Sequence, residues 1–499
     1  MAIPELKAFD RNDYLLILLC SLFLYANLFA RAGTPFLLGG DQVFFWMWGQ
    51  RLLNGEQIYR DFFQFTPPGT DLLYWGAFKL LGARSWVPNL VVLVLGIALC
   101  ALCLRISKSI MSRGHAALAT SLYVVFVFGT TLNGTHHFFS VLAVSCAVAV
   151  LLGGSTPSRI AIAGAFLGIA TFITQTRGPV VAFAIALWML WERYRAQKPW
   201  SLYLKQLVLL GVSLGITWFV LSGYYVATLG LRQLLFYQIA TVREHVVAGW
   251  NAQSIGFPGL SRSTLAPLLQ WLFAYILLPM VYAACLWRLW KATREKRKDA
   301  VWVGLLTAVG SAMFLEVAQS PSWLRFFCVA LPGVILFVWL LSGTGKVAVY
   351  ATRSLWIGVL GLAAFHTWHG HSLNSVTEDL PAGRIAAQPL PAEKLAWLAA
   401  HTTPGQYMLQ AQWPGMYLPL ALRNPLFLDV VAGAGASRSE NVDLAIRQLE
   451  DKRVQYIVLS PRLQRLDRMP EVFAEFVTSH YRLVRAFADR DEIWERKQE

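Results

Sequence analysis

Charged residues are scarce in this chain. Only 14% of its 499 residues are Asp, Glu, Lys or Arg, whereas 56% are hydrophobic. A soluble globular protein carries about a quarter charged residues. The composition therefore excludes a soluble protein as the main architecture and favours one that is largely embedded in a membrane.

Cysteine is scarce as well, and it is confined to apolar segments. The six cysteines are Cys20, Cys100, Cys103, Cys146, Cys285 and Cys328. None lies in the predicted outer loops or in the C-terminal region, so we predict no structural disulfide. A small-residue cleavage site is also missing after the first apolar stretch, residues 14–30. We therefore expect this stretch to remain as a membrane span and not to be removed as a signal peptide.

Long hydrophobic runs are abundant by contrast. A bilayer span needs about 20 apolar residues, and it must be helical because lipid offers the backbone no hydrogen-bond partners. This rule predicts about 11 transmembrane helices. Their approximate bounds are 13–30, 86–104, 115–132, 137–153, 159–174, 178–192, 203–223, 266–289, 300–318, 325–342 and 351–368. The two spans within 159–192 are short, and a re-entrant hairpin is the alternative there.

The basic residues indicate how the chain is oriented. The formal net charge is +15, and many Lys and Arg residues cluster in short segments between the apolar runs, at 105–113, 193–198 and 291–298. Short loops rich in Lys and Arg are typical of the cytoplasmic side of a membrane protein. We therefore predict a cytoplasmic N-terminus and no nucleic-acid partner. The segments predicted to lie outside are 31–85, 224–265 and everything after about residue 369.

The first outer loop, residues 31–85, contains two patterns of helical periodicity. One follows Gly39-Gly40-Asp41, and the other follows Pro67-Pro68-Gly69. Their apolar residues are Phe44, Phe45, Trp48, Leu52 and Leu53 in the first, and Leu72, Leu73, Trp75, Phe78, Leu80 and Leu81 in the second. Both patterns are too short to span a bilayer and are rich in aromatic residues. They predict amphipathic helices that lie in the membrane interface.

The chain changes character after the last predicted span. Residues 1–368 are predicted to form a transmembrane domain, and residues 369–499 an extracytoplasmic α/β domain. Helices are predicted over 391–402, 439–453 and 470–480. Strands are predicted over 407–412, 426–431, 454–460, 481–489 and 492–497. The whole is a polytopic α-helical membrane protein with a small mixed domain outside.

Two carboxylates in the first outer loop are the candidate catalytic residues. Asp41 precedes a predicted helix, where it can cap the free N–H groups of the first turn or present a carboxylate at the water–membrane boundary. Asp61 follows Arg60, and it can orient Arg60 or Arg51 for phosphate binding or simply remain solvated. The residues alone do not choose between these roles.

Four further residues are candidate phosphate ligands. Arg177 and Arg325 lie at the predicted outer ends of spans, whereas Arg243 and His245 lie in the outer segment 224–265. Arginine binds phosphate through two parallel hydrogen bonds. The alternative for each is a side chain that reaches from the span to the interface without binding a ligand.

Two other groups of polar residues lie near the predicted outer ends of spans. Glu316 could be functional, or it could make a buried hydrogen bond. His366, His369 and His371 lack a carboxylate at ligand spacing, so an interfacial belt is favoured over a metal site.

Several short motifs together carry a family resemblance. After Asp41 come Leu52-Leu53-Asn54-Gly55, then Ile58–Phe62, then Pro-Pro-Gly and a hydrophobic helix ending in Leu-Gly. Residues 163–170 carry a Gly-x-x-x-Gly span followed by Thr176-Arg177, and residues 326–332 run from Phe-Phe to Leu-Pro. In this order the motifs resemble the GT-C superfamily of membrane glycosyltransferases, in its RgtA/B/C/D-like and protein-mannosyltransferase-like branch. Arg177 stands where that branch has Lys, which retains the cation.

The resemblance covers roughly residues 10–340 and implies a function. Members use a lipid-phosphate sugar donor and an outer-loop Asp as base, a role that falls on Asp41, with Asp61 as the second carboxylate. Arg60, Arg177, Arg243, His245 and Arg325 are then expected to bind the donor phosphate. The expected enzyme is an inverting hexosyl- or pentosyltransferase of the inner membrane. Its donor is a polyprenyl-phosphate sugar, and its acceptor is a lipid, a glycan or a protein.

The main rival function is a transporter or flippase for a lipid-linked or amphipathic substrate. Such proteins place ionisable residues near the bilayer midplane, often in repeated halves. Here the polar residues concentrate in loops on one predicted side, and no half-repeat is visible. That distribution favours chemistry at an interface. The sequence predicts no resident metal ligand set and leaves a requirement for a divalent cation open.

Overall fold

The computed structural model describes residues 8–240, 265–295, 300–319, 322–343, 345–411, 413–431, 439–460 and 470–498. The chain divides into two compact units. The first, here called the helical unit, comprises residues 1–25, 93–239 and 251–367. The second, here called the mixed unit, comprises residues 26–92, 240–250 and 368–499. The first loop, residues 31–85, thus falls in the same unit as the C-terminal domain.

Apolar helices are the predominant elements of the chain, as expected from the long hydrophobic runs. Their bounds are Arg11–Leu28, Trp86–Lys108, Arg113–Thr131, His136–Leu151, Pro157–Ile173, Arg177–Ala196, Trp200–Leu229, Pro267–Lys291, Ala300–Ala318, Trp323–Cys328, Leu331–Leu341 and Lys346–Leu373. Each predicted span coincides with one of these helices, except that the span over 325–342 coincides with two. The polytopic helical architecture is confirmed.

Six helices within the described residues have the length and composition to cross a membrane. They are Trp86–Lys108, Arg113–Thr131, Trp200–Leu229, Pro267–Lys291, Ala300–Ala318 and Lys346–Leu373. Three shorter apolar helices accompany them: His136–Leu151, Pro157–Ile173 and Leu331–Leu341. The interruption between Trp323–Cys328 and Leu331–Leu341 falls just before Pro332, which occupies the first turn of the second helix. Proline suits that position because it has no N–H to donate and its φ is already helical.

Glycines set how closely the helices of the helical unit pack. A Cβ atom on Gly164 would lie 2.6 Å from the Leu210 carbonyl oxygen, and one on Gly168 would lie 2.6 Å from that of Leu214. The Gly-x-x-x-Gly pair therefore holds Pro157–Ile173 directly against Trp200–Leu229. This is how small residues allow two membrane helices to bring their backbones together.

The two helices predicted in the first loop are present in the mixed unit, as Gln42–Leu53 and Gly69–Leu81. A Cβ atom on Gly49 would lie 2.8 Å from that of Tyr74, so the helices are in close contact through this glycine. Nearly every residue from Gln42 to Arg51 is buried. The first helix is thus enclosed by protein to a greater degree than its periodicity indicated.

The C-terminal domain is a small α/β structure, as predicted. Its four-stranded sheet has the order Leu409–Gln410, Tyr456–Leu459, Glu492–Arg496 and Tyr481–Ala486. The first pair of strands is parallel, and the other pairs are antiparallel. Helices Ser439–Asp451 and Glu471–His480 contribute Val442, Leu449 and Phe473 to the hydrophobic core beside this sheet.

Further elements of this domain precede or interrupt the sheet strands. A hairpin pairs Val376–Leu380 with Gly383–Ala387, and helices Pro389–His401 and Tyr417–Leu420 follow it. Within the first loop, Phe29–Arg31 pairs with Thr34–Pro35. The Leu37 N–H then donates to the Ala386 carbonyl at 2.8 Å, so backbone hydrogen bonding joins the first loop to the hairpin.

One predicted strand is wrong. Residues 426–431 form an irregular segment instead of a strand. The carbonyl of Leu426 accepts from Arg51, and the carbonyl of Phe427 accepts from the Phe63 N–H at 2.9 Å. These backbone groups are therefore bonded to the first loop and are not available to a sheet.

Candidate functional site

Asp41 lies at the start of the helix Gln42–Leu53, on the surface of the mixed unit. Its side chain is exposed and makes no capping hydrogen bond to the first turn. The preceding Gly40 has a φ of +76°, a conformation that a residue with a side chain rarely adopts. The chain thus turns sharply before the helix and leaves the Asp41 carboxylate at the surface. Capping of the helix does not account for this residue.

Asp61 is held by its neighbours. Its carboxylate accepts three hydrogen bonds from the Arg60 guanidinium, the shortest of them 2.7 Å, and one from the Gln57 N–H at 2.8 Å. The bonds from Arg60 hold the pKa of Asp61 below its usual value. An ionised carboxylate with this many donors is suited to orient Arg60 and its own loop, which fits a supporting role.

Arg51 connects the first loop to the C-terminal domain within the mixed unit. Its guanidinium donates to Glu56 Oε2 at 2.7 Å, to Asp429 Oδ1 at 2.9 Å and to the Asp61 carbonyl at 3.0 Å. It also lies over the Phe62 ring, at 4.6 Å from the ring centroid. The side chain is only 3% exposed. Arg51 was expected only as a partner of the Asp61 side chain, whereas its hydrogen bond is to the Asp61 backbone carbonyl.

Asp429 is the distant partner that sequence analysis missed. One of its carboxylate oxygens accepts from Arg51 and the other from Trp48 Nε1 at 2.5 Å. Burial raises the pKa of Asp429 to about 6, against the opposing effect of Arg51. The available signal was an acidic residue inside the apolar run 426–431. A charge in such a run must have a partner, but the sequence does not indicate which one.

Asp71 is a second buried carboxylate that was missed. It lies in the helix Gly69–Leu81, is fully buried, and accepts from Gln64 Nε2 at 3.1 and 3.2 Å. Burial raises its pKa well above the usual value for aspartate. No Lys or Arg within the described residues forms an ion pair with it. This environment favours a protonated Asp71 that holds the turn before its helix.

Arg177 begins the helix Arg177–Ala196 in the helical unit and is 1% exposed. Its Nε atom lies 3.3 Å from Glu316 Oε2, and Thr176 donates to Glu316 Oε1 at 2.5 Å. Glu316 therefore contacts both residues at the start of this helix, and its two alternative roles stay open. The charge of Arg177 is shared with this carboxylate.

Arg177 and Arg325 both lie near a pair of histidines in the helical unit. Arg177 and Arg325 both lie within electrostatic range of His136 and His137, whose rings are 3.9 Å apart. Arg325 is half-buried on the short helix Trp323–Cys328. The structure thus brings together two of the predicted phosphate ligands, whereas Arg243 and His245 lie outside the described residues.

Two of the three histidines near the end of Lys346–Leu373 have separate contacts. His366 lies 3.4 Å from the Thr130 hydroxyl, while His371 contacts the Ala26 carbonyl at 2.9 Å and packs its ring on Phe36. Across the described parts of the chain, no group of three His, Cys, Asp or Glu side chains could hold a metal ion.

The fold that carries these residues is found in proteins of known structure. The overall fold is similar to that of GT-C glycosyltransferases of known structure. ArnT from Cupriavidus metallidurans, solved in the apo state and bound to undecaprenyl phosphate, has 14% and 13% sequence identity to this chain in the two structures. In both cases the TM-score is 0.59, and the match covers 96% of this chain and 97% of ArnT.

A second solved protein shares the fold. The oligosaccharyltransferase AglB from Archaeoglobus fulgidus, solved with an inhibitory peptide and a dolichol-phosphate, matches with 12% identity and a TM-score of 0.54. The match covers 98% of this chain and 74% of AglB. The predicted resemblance to the GT-C superfamily is thus confirmed at the level of the fold. No protein-family model and no curated protein sequence matches this chain.

Proposed function

We propose that this protein is a membrane glycosyltransferase that uses a polyprenyl-phosphate-linked sugar. The observation that carries the proposal is a GT-C fold shared over nearly the whole length of both this chain and ArnT. Solved structures of this fold contain undecaprenyl phosphate in ArnT and a dolichol-phosphate in AglB. A lipid-linked donor also suits a site outside the cytoplasm, because such a donor stays attached to the membrane through its own lipid.

The proposed reaction is a direct displacement at the anomeric carbon. The acceptor hydroxyl attacks from the face opposite the phosphate, so its oxygen forms the new bond to carbon and the configuration inverts. The bond between the anomeric carbon and the phosphate oxygen breaks, and the polyprenyl phosphate leaves with the electron pair. Asp41 receives the proton of the acceptor hydroxyl as general base. Its exposure at the start of Gln42–Leu53 supports this role.

The leaving phosphate needs cations more than it needs an acid, since it is already a good leaving group. We assign this role to Arg177 and Arg325, with Arg60, Arg243 and His245 as the remaining candidates. Their proximity to His136 and His137 supports the choice of Arg177 and Arg325. Arg177 would bind phosphate while its Nε side remains against Glu316, which would orient the fork.

The proposed setting is the inner membrane, with a cytoplasmic N-terminus and with the first loop and the C-terminal domain outside the cytoplasm. The basic loops of the sequence support this orientation. The acceptor is a lipid, a glycan or a protein, and the sugar is a hexose or a pentose. The comparisons do not favour the transporter alternative, because the solved relatives named above are glycosyltransferases.

The experiment that tests the function is deletion of the gene, followed by mass spectrometry of surface lipids and polysaccharides. We expect one class of molecule to lose one sugar increment, and the intact gene to restore it. A reporter fused after residue 499 should be active only where it folds outside the cytoplasm. An unchanged glycan and lipid profile under expressing conditions would contradict the proposed activity, and a cytoplasmic reporter would contradict the orientation.

A further inference from the structure

A polar cavity of about 320 Å³ opens on the mixed unit, between the first loop and the C-terminal domain. This volume lies at the lower end of the roughly 300–1,000 Å³ found for small-molecule sites. Its lining residues are Glu56, Arg60, Asp61, Tyr407, Arg423, Phe427, Gln448 and Lys452. The first three come from the connector between the two loop helices, and the other five come from the C-terminal domain.

The charges of this cavity do not cancel. Arg60 pairs with Asp61 at 2.7 Å, and Arg423 pairs with Glu56 at 3.1 Å. Lys452 donates to the Pro425 carbonyl, and no carboxylate of the described residues lies within ion-pair distance of it. Three cations and two carboxylates therefore leave one positive charge, and Lys452 is its location.

Lys452 is poorly solvated for a lysine. It is half-buried, and burial together with the nearby Arg51 and Arg423 lowers its pKa. A single anion bound beside its ammonium would offset this loss of hydration. The cavity is therefore large enough for a small ligand, and Lys452 would stabilise one negative charge on it.

The other lining groups can bind the hydroxyls of a sugar and pack against its ring. Arg423 and Lys452 both lie over the ring of Tyr407, at 4.8 and 5.0 Å from its centroid. Gln448 accepts from the Phe427 N–H at 2.9 Å through Oε1, which leaves its NH₂ group to donate. A carboxylate such as Glu56 repels any phosphate, but it can also accept a hydrogen bond from a sugar hydroxyl. This bond offsets the repulsion only when the phosphate is attached to a sugar.

We propose that this cavity binds one saccharide residue that carries a single anionic group, a phosphate or a carboxylate, as part of the acceptor. The mixed lining argues against a bare phosphate, because the carboxylates would face it without a hydroxyl to bind. It argues equally against a polyprenyl chain, which needs an apolar wall. The inference rests on the proposed function, and it reassigns Arg60 from binding the donor phosphate to binding the acceptor. Arg177, Arg243, His245 and Arg325 remain for the donor phosphate.

The test is a binding measurement on the full chain in phosphatidylcholine nanodiscs, without any transfer reaction. Isothermal titration calorimetry would use glucose 6-phosphate, glucose and inorganic phosphate as probes. We expect glucose 6-phosphate to bind at least tenfold more tightly than either of the others. The variant Lys452→Gln should weaken its binding about tenfold, as loss of one charge-assisted hydrogen bond does.

Lys497→Gln is the matched control. Lys497 belongs to the same domain and also donates to backbone carbonyls, of Thr478 and Ser479, but it lies away from the cavity. This variant should bind glucose 6-phosphate as the wild type does. If Lys452→Gln fails to accumulate, Arg60→Gln serves instead, because Arg60 is exposed and its replacement should not disturb folding.

Four results would overturn the proposal. They are equal binding of glucose, equal binding of inorganic phosphate, binding unaffected by the cavity variants, and displacement of the sugar phosphate by phosphatidylglycerol added to the nanodiscs. The last would indicate a site for lipid headgroups. Because no transfer is measured, these outcomes are independent of the gene-deletion result. The two experiments can therefore distinguish a glycosyltransferase that lacks this site from a protein that has the site but transfers no sugar.

Discussion

Asp41 and Asp61 are both acidic residues of one loop, yet their surroundings differ. Asp61 is bonded to Arg60 and to the Gln57 backbone, whereas Asp41 is exposed at the start of a helix it does not cap. The sequence identified both residues, and it placed Arg60 beside Asp61 because the two are adjacent. It could not identify Asp429, since its partner Arg51 is 378 positions away along the chain. Local partners can be predicted from sequence, and distant ones require the fold.

Arg177 allows a residue-scale test of phosphate binding. We expect Arg177→Ala to raise the KM for the polyprenyl-phosphate sugar about ten- to a hundredfold, as loss of a charge-assisted hydrogen bond would. Arg177→Lys should have a smaller effect, because it retains the charge but not the fork. The measurement is donor saturation in membranes, normalised to protein level.

Glu316→Gln separates this role from a structural one. It breaks the ion pair with Arg177 but leaves the guanidinium in place. If Arg177 acts only by pairing with Glu316, the two variants will lose the same amount of protein and show the same donor KM. That outcome would remove Arg177 from the donor site.

Asp71 provides a pH dependence of stability. Its folded pKa is raised above the unfolded value of 3.8, so the folded state binds the proton more tightly. The free energy of unfolding should therefore rise as the pH falls through the folded pKa, and level off below the unfolded one. Asp71→Asn should be at least as stable as the wild type at pH 8 and should gain less on acidification. Thermal unfolding of both proteins at pH 5 and pH 8 measures this, and identical slopes would contradict the burial effect.

At the scale of elements, hydrophobic length was a sufficient guide to the helices but not to the strands. Each predicted span coincides with a helix because lipid-facing and buried residues alike must be apolar over a full span. The strand predicted over 426–431 failed because its apolar run is buried by a different partner. Its backbone bonds to the first loop, around Arg51 and Phe63. Apolar character indicates that a short segment is buried but not what covers it.

The contact between Arg51 and Asp429 should be essential to the mixed unit. We expect Arg51→Ala to destabilise it by about 3–5 kcal/mol, because Asp429 is left buried without its counter-ion. Asp429→Ala should cost less, because Arg51 keeps its ion pair with Glu56. The double variant Arg51→Met with Asp429→Leu should cost less than the sum of the single variants, since both charges are gone. Chemical denaturation of the full chain, followed by hydrogen–deuterium exchange in peptides of the mixed unit, measures this. Strictly additive losses would show that the two side chains act independently.

At the scale of the whole molecule, the sequence predicted the class of fold, and the division at residue 368 into a transmembrane and a C-terminal domain stays a prediction. The structure assigns the first loop to the same unit as that domain. Composition could not indicate this, because the association depends on a few buried polar contacts, such as that of Trp48 with Asp429. The candidate residues were found by type and position, whereas their pairing came from the structure.

The central claim is that Asp41 removes the proton of the acceptor hydroxyl, and Asp41→Asn tests it most directly. The measurement is transfer from a polyprenyl-phosphate sugar to total acceptor in membranes, normalised to protein level. Since Asp41 does not cap its helix, the replacement should leave the fold and its thermal stability unchanged. We expect transfer to fall roughly a hundred- to ten-thousandfold, as loss of a positioned base does, with a smaller loss for the matched control Asp61→Asn. Near-normal transfer by Asp41→Asn, with or without loss in Asp61→Asn, would contradict the assignment of the base.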